Sequence, residues 1–180
     1  MKAFLCAGDQ QIRAIMRTEH IRSRRSVRRY TANPIPKETI DDILDCARLA
    51  PTAMNLQPWL IGAVTDKTLL AKLADLLDYG KFAAGCAACF VVFCDKSAKY
   101  YLEDGAAATM NLIHAAWANG IGTCWVAGDK KKYADELRRL LNVPDKYTLV
   151  SVVPAGFPDE TPSPKAKKGI AEVSFRDRHP

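Results

Sequence analysis

A run of seven apolar residues without a break, from Ala88 to Cys94, is the feature that most limits how this chain can fold. The run is rich in valine and phenylalanine and far too short to span a membrane, so it predicts a strand covered on both faces. Trp59 to Val64 and Tyr147 to Val153 predict further strands, and Ile170 to Phe175 predicts a last one. The 180 residues, 48% of them hydrophobic, are expected to form one domain over residues 1–180.

Segments with apolar residues at helical spacing lie between these strands. The predicted helices run from Asp9 to about Ser23, between Pro36 and Pro51, and over Lys67 to Leu77, Ala98 to Asn119 and Lys131 to Leu141. The Ala98 to Asn119 helix has two apolar faces, one including Leu102 and Met110 and the other including Leu112. We expect such a helix to be buried over most of its surface, either inside the subunit or at a dimer interface.

Residues 22–30, with the sequence RSRRSVRRY, hold five arginines and two serines. Arginine offers a planar fork of N–H donors and serine offers a hydroxyl, a combination that suits a dianionic phosphate. A run of this kind is also typical of a solvated surface, a nucleic-acid-binding patch or a nuclear-import signal. The net charge of +6 comes partly from this run and from Lys130 to Lys132 and Lys165 to Lys168, which favours local anion sites over a uniformly cationic surface.

A second motif, PTAMNLQPW at residues 51–59, follows one predicted helix later. It has the pattern Pro-Ser/Thr-x-x-Asn-x-Gln-Pro-Trp, while Arg24, Ser26 and Arg28 have the pattern Arg-x-Ser-x-Arg/Lys. Together, in this order, the two motifs resemble the signature of the FMN-dependent nitroreductase family. GIGTCWVAG at residues 120–128 is similar to the family's Gly-Leu-Gly-Thr-x-Trp segment, and PKAK at residues 164–167 is similar to its Pro-Lys-x-Arg motif, with Lys167 in place of arginine.

The resemblance implies a bound FMN and a set of residues around it. The arginine motif would contact the phosphate and the polar edge of the ring, and the two lysines would complete a phosphate cage. Residues 51–55 would reach the ring from the partner subunit, and residues 127–128 would offer backbone N–H groups near its reactive nitrogen. The implied cofactor-binding residues are Arg24, Arg25, Ser26, Arg28, Pro51, Thr52, Ala53, Asn55, Ala127, Gly128, Lys165 and Lys167.

The resemblance also implies an α+β fold, with a mixed central sheet flanked by helices, assembled as a homodimer. The implied activity is ping-pong transfer of hydride from NADH or NADPH through FMN to a small acceptor such as a nitroaromatic or a quinone. No side chain is expected to act as a nucleophile. Only about ten residues separate Cys94 from Asp104, where longer members insert helices, so a minimal cover over the flavin is expected. A basic nucleic-acid-binding protein and a non-catalytic flavin-binding protein of the same fold remain as alternatives.

The cysteines and histidines offer weaker signals. Cys86-x-x-Cys89, with Cys94 nearby, has the spacing of a redox or metal pair, but no second pair and no histidine accompany it, so buried apolar cysteines are expected. His114 is predicted to be a hydrogen-bonded histidine of the core or an interface rather than an acid or base. No metal site is expected.

The expected location is the cytosol. No apolar run approaches the roughly 20 residues of a membrane helix, and the apolar stretch after Met1 is too short and too soon interrupted for a secretory signal. We therefore expect no membrane among the partners, and the resemblance implies no nucleic acid.

Overall fold

The computed structural model describes residues 18–179, which form a five-stranded sheet packed against helices. The strands are β1 (Trp59–Val64), β2 (Ala88–Asp95), β3 (Gly122–Thr123), β4 (Val126–Ala127) and β5 (Tyr147–Gly156). The α-helices are α1 (Lys37–Arg48), α2 (Lys67–Leu76), α3 (Tyr101–Ala118), α4 (Ala134–Leu140) and α5 (Ile170–Val173), with short 3₁₀ turns at Ala53–Asn55 and Lys81–Gly85. Residues 18–23 are helical too, and the earlier part of the helix predicted from Asp9 lies outside the described residues.

The sheet has the order β1-β2-β5-β3, and β4 pairs with β5 beside β3. All of these strand pairs are antiparallel. Within residues 18–179, a parallel element is found at a single bridge between Ser26 and Thr123. The α+β fold is therefore confirmed, and the predicted mixed sheet is mixed only through that bridge.

Strand β2 divides the core into two layers, because its alternate side chains point to opposite faces of the sheet. Phe90 and Val92 pack against α1 and α3 on one face. Val91 and Phe93 pack against α2 and α4 on the other. The prediction that this strand is covered on both faces is confirmed.

Helix α3 is buried along one face and partly exposed along another. Ala108, Leu112 and Ala116 are fully buried against the sheet. Leu102 and Met110, which the sequence placed on a different apolar face from Leu112, remain more than a third exposed. One chain therefore covers only part of the apolar surface of this helix.

The carboxyl-terminal segment differs from its prediction. Residues 170–175 were expected to form a strand, but Ile170–Val173 is a short exposed helix. Local hydrogen bonds explain the difference, since Glu172 accepts from the Gly169 N–H at 2.6 Å and the Ser174 hydroxyl donates to the Ile170 carbonyl at 2.7 Å. The strand prediction was wrong because β propensity alone cannot form a strand, and no described strand pairs with this segment.

The connection after β2 is short, and the described helices are of moderate length. The connection from β2 to α3 is five residues long, 96–100, which matches the minimal cover expected at this point. Among residues 18–179, no helix is both long enough and apolar enough to cross a membrane.

Candidate functional site

Residues 22–30, called here the arginine segment, are held against the sheet by Val27. The Val27 side chain is fully buried, and its N–H donates to the Thr123 carbonyl at 2.9 Å. Gly122 makes this approach possible, since a Cβ there would lie 2.8 Å from the Val27 Cβ. Because neighbouring side chains of an extended segment point to opposite sides, burying Val27 turns Ser26 and Arg28 outward.

The chain returns to this segment after β5. The Thr31 N–H donates to the Phe157 carbonyl at 2.9 Å, and the Asp159 N–H donates to the Arg29 carbonyl at 3.0 Å. The Glu160 carboxylate accepts from the backbone N–H groups of Arg28 at 2.6 Å and Arg29 at 3.2 Å. These two bonds, with the nearby arginine charges, hold the pKa of Glu160 below its usual value. Glu160 thus ties residues 158–164 to the arginine segment.

Together the two segments form a cavity of about 510 Å³, called here the phosphate cavity. It is lined by Ile21, Arg22, Arg24, Arg25, Ser26, Arg28, Pro162, Ser163, Pro164, Lys165 and Lys167. Arg24, Ser26 and Arg28 thus lie around one space with Lys165 and Lys167, about 140 residues away along the chain. The described lining contains no carboxylate side chain. Such an array of cations and hydroxyls can bind an anion with several oxygens.

Arg25 has a different role from its neighbours in this cavity. Its Nη1 donates to the carbonyls of Arg22 at 2.7 Å and Arg24 at 2.9 Å. Carbonyls at the end of a helix lack partners inside the helix, and a cation near them is favourable. Arg25 therefore holds the turn that follows residues 18–23.

A second cavity of about 190 Å³, called here the ring cavity, shares Arg28 with the first. Tyr79, Phe82 and Trp125 give it aromatic walls, and Ala127 lines it as well. The Arg28 guanidinium lies 6.0 Å from the centroid of the Phe82 ring. Cys124 also faces this cavity, but burial raises the pKa of its thiol, which disfavours a reactive thiolate. A flat ring with an attached anion would match the two cavities and the arginine between them.

Strand β4 presents a backbone N–H beside the ring cavity at Ala127. The Gly128 N–H donates to the Val150 carbonyl at 3.0 Å, so it is already used within the sheet. In an antiparallel pair the bonded positions alternate, so the N–H of Ala127, which stands opposite Ser151, points away from β5. The Ala127 carbonyl accepts from the Tyr133 hydroxyl. Of the two implied residues, Ala127 therefore has the geometry of a donor to a ligand, and Gly128 supports the packing.

Residues 51–58, called here the Pro51 loop, lie away from both cavities. Thr52 and Ala53 are bonded to Asp104, near the start of α3, whereas the Trp117 indole near its end donates to the Ser23 hydroxyl at 3.0 Å. At 1.5 Å per residue, Asp104 and Trp117 are about 20 Å apart along the helix. Within one chain, the structure therefore does not bring Pro51, Thr52, Ala53 and Asn55 to the arginine segment.

The Pro51 loop is exposed and held in an unusual backbone shape. Met54, Asn55 and Gln57 all have positive φ angles, between 50° and 56°. Non-glycine residues seldom adopt this region, and positions of this kind cluster at functional sites. Met54 is 79% exposed, so apolar burial does not explain the shape.

The sequence analysis missed the aromatic walls of the ring cavity and three further contributions. Asp104 and Glu160 bind backbone groups far away in the chain, and neither lies in a motif that would single it out. Arg22 lines the phosphate cavity and lies in the arginine run, but it falls outside the Arg-x-Ser-x-Arg pattern. Only the charge run could have pointed to Arg22, and no signal in the sequence could have paired the two acids with their partners.

The remaining candidates from the sequence are the cysteines and His114. Cys86, Cys89 and Cys94 are buried free thiols, which confirms the prediction of small apolar cysteines. The His114 ring packs edge to face against His20, with centroids 5.4 Å apart, and burial lowers its pKa. Its buried Nδ1 has no hydrogen-bond partner among residues 18–179, so the predicted hydrogen bond is not found at that atom. The described residues contain no group of three or more side chains suited to a metal ion.

Comparisons with known proteins show the family and the fold of the chain. The model of the Nitroreductase family matches residues 21–80 and 79–157. A protein of Archaeoglobus fulgidus with the provisional name NADH dehydrogenase/NAD(P)H nitroreductase is 36% identical over 146 residues, 78% of this chain and 84% of its own. A structure with the same provisional name from Parabacteroides distasonis has a TM-score of 0.84 at 30% identity, covering 91% of this chain and 99% of that one.

A third relative was solved with a ligand. It is a provisionally named nitroreductase from Desulfovibrio desulfuricans in complex with FMN, with a TM-score of 0.79 at 27% identity, covering 90% of this chain and 96% of that one. The family match covers both the arginine segment and the Pro51 loop, the two motifs on which the resemblance rested. The chain belongs to the nitroreductase family of oxidoreductase enzymes.

Proposed function

We propose that this protein binds FMN and transfers hydride from NADH or NADPH to a small acceptor by a ping-pong mechanism. One observation supports the proposal most directly. The cation-lined phosphate cavity and the aromatic-walled ring cavity meet at Arg28, which lines both. FMN has one terminal phosphate, a polar chain and a flat ring, so the chemistry of the two cavities fits it from end to end.

The phosphate cavity would hold the terminal phosphate. Arg24, Ser26, Lys165 and Lys167 are the proposed contacts, with Arg22 as a further cation at the same space. Lysine keeps its charge but cannot form the two parallel bonds of an arginine fork. Lys167 is therefore a weaker contact than an arginine would be at that position.

The ring cavity would hold the flavin ring, which supplies the hydride chemistry when bound. Arg28 would place its charge at the polar edge of the ring, where negative charge accumulates on reduction. The Ala127 N–H would face the ring edge from β4. Tyr79, Phe82 and Trp125 provide apolar surface around it. No acid, base or nucleophile of the protein is required beyond these binding contacts.

A homodimer would complete the site, because the arginine segment and the Pro51 loop lie near opposite ends of α3 within one chain. The Pro51 loop exposes Met54 and Leu56 beside the exposed Leu49, and α3 leaves Leu102 and Met110 partly exposed. A second copy packed on this surface would remove it from water and could bring its own Pro51 loop to the ring cavity. We propose that each site takes its cavities from one chain and its Pro51 loop from the other.

The acceptor class follows from the short connection between β2 and α3. Five residues give little cover, so the face of the ring would stay open to a flat acceptor such as a nitroaromatic or a quinone. Both NADH and NADPH are kept as hydride donors, and the cytosolic location stays a prediction from the sequence.

Titration of the purified apoprotein with FMN, followed by flavin fluorescence, tests the proposal. We expect one FMN per chain, and then bleaching of the flavin absorbance by NADH or NADPH without oxygen and its return when a quinone is added. A protein that binds FMN but shows no bleaching would be a flavin-binding protein without turnover. A protein that takes up no flavin and instead binds nucleic acid would overturn the proposal.

A further inference from the structure

We propose that Asp104 is a positioning residue, whose carboxylate fixes the Pro51 loop in the shape that meets the flavin ring. The inference rests on the proposed function, because it concerns the loop of that site. Asp104 is only 5% exposed, and both of its carboxylate oxygens face the loop. Oδ2 accepts from the Thr52 hydroxyl and Oδ1 accepts from the Ala53 N–H, each at 3.0 Å.

The loop needs an external anchor to keep its shape. Three of its residues have positive φ angles, and most of it is exposed, so little buried apolar surface holds it in place. The Thr52 hydroxyl, while donating to Asp104, also accepts from the Gln57 N–H at 3.1 Å. One carboxylate thus secures both ends of residues 52–57, the stretch that contains the three positive φ angles.

Burying a carboxylate is costly, so its partners indicate its role. No ion pair involves Asp104 within the part of the chain that the structure describes, and the polar side-chain and backbone donors that reach it come from the Pro51 loop. Its position four residues into α3 places its charge near the favourable end of the helix dipole. The charge is therefore tolerated there and directed at the loop.

Another buried polar side chain on the same helix offers a contrast. Thr109 is fully buried, its hydroxyl donates to the Gly105 carbonyl at 2.7 Å, and it lies 2.7 Å from the Ser151 hydroxyl on β5. Within residues 18–179, the hydrogen-bond partners of its hydroxyl lie in α3 and the sheet. Thr109→Val therefore removes buried hydrogen bonds from α3 without touching the loop, and is a matched control for Asp104→Ala.

The test compares FMN and riboflavin binding by the full-length apoprotein. Asp104→Ala should weaken both ligands by the same factor, about tenfold, because the loop meets the ring that both share. Thr52→Val removes one of the two hydrogen bonds and leaves the carboxylate in place. It should weaken the binding of both ligands, and it provides the test if Asp104→Ala does not fold. Thr109→Val should change neither affinity by more than about twofold.

A second measurement needs no flavin. Amide hydrogen exchange in the apoprotein should show faster exchange at Ala53 and Gln57 in Asp104→Ala and Thr52→Val, with wild-type protection in Thr109→Val. Three results would overturn the role of Asp104 alone. The first is wild-type affinity and wild-type amide protection in both loop variants. The second is a loss of affinity for FMN without a loss for riboflavin, and the third is an equal loss of affinity in Thr109→Val. A wild-type protein that binds neither flavin would overturn the proposed function and this inference with it.

Discussion

The phosphate cavity and the Pro51 loop are assembled in opposite ways. The cavity joins residues about 140 positions apart, yet backbone bonds hold them side by side in one chain. The Pro51 loop begins about 20 residues after the arginine segment ends, yet it is hydrogen-bonded near the start of α3, whereas the arginine segment is bonded near the end of that helix. Closeness in sequence therefore does not decide which motifs share a site within one chain. The hydrogen bonds to the sheet and to α3 decide it. They complete the phosphate cavity within a single chain and leave the Pro51 loop facing outward.

Removing a charge from the phosphate cavity should have the largest effect. Losing one charged phosphate contact costs about 1.5 to 3 kcal/mol, so Arg24→Ala or Lys165→Ala should weaken FMN binding roughly 10- to 150-fold. Riboflavin, which lacks the phosphate, should bind each variant as it binds the wild type. A fluorescence titration with both ligands measures this. An equal loss for riboflavin would show that the cavity does not hold the phosphate.

The packing that supports the cavity can be disturbed from the sheet side. A methyl group at Gly122 would meet Val27 at 2.8 Å, so Gly122→Ala should cost about 1 to 3 kcal/mol of unfolding free energy and also weaken FMN binding. Gly85→Ala, which meets no atom within 4 Å, should change stability by less than about 0.5 kcal/mol. Urea denaturation of the apoprotein measures both. Equal midpoints would contradict the role of Val27 as the anchor of the arginine segment.

Acid should loosen the cavity through Glu160. Its folded-state pKa lies below the ordinary value of 4.5, so the ionised group stabilises the fold above that value, and this contribution is lost as the pH falls through the folded pKa. Glu160→Gln should lower the Tm of the apoprotein at pH 7, and the gap from wild type should close in acid. Parallel curves of Tm against pH would show that Glu160 contributes nothing specific.

The smallest expected change is a gain. Lys167→Arg restores the residue found in the family's Pro-Lys-x-Arg motif and permits a two-pronged contact with the phosphate. FMN affinity should rise about two- to threefold, with riboflavin unchanged. A loss of FMN affinity would indicate that the cavity has no room for the fork at this position.

The sequence predicted the strands and the residues of the phosphate cavity, but it did not predict the side chains that hold the site in place. Apolar runs predicted β1, β2 and β5. Strands β2 and β5 are buried almost throughout and so must be apolar on both faces, whereas β1 is a partly exposed edge strand. The motifs predicted the union of Arg24 and Ser26 with the two lysines. The exposed helix at Ile170 was missed because local capping outweighed its β propensity, and Asp104 and Glu160 were missed because each acts through backbone groups that only the fold brings near. The direction of the Ala127 N–H depends on strand register, which no pattern in the sequence fixes.

The heterodimer of Arg24→Ala and Asn55→Ala subunits tests the shared site most directly. Differently tagged subunits, co-expressed and purified through both tags, give a dimer in which one site carries both defects and the other carries none. We predict that each homodimer binds FMN weakly, while the heterodimer binds one FMN with wild-type affinity and regains about half of the reductase activity. A heterodimer with no wild-type site, or a monomer that binds FMN and turns over at the full rate in dilute solution, would contradict a site shared between two chains.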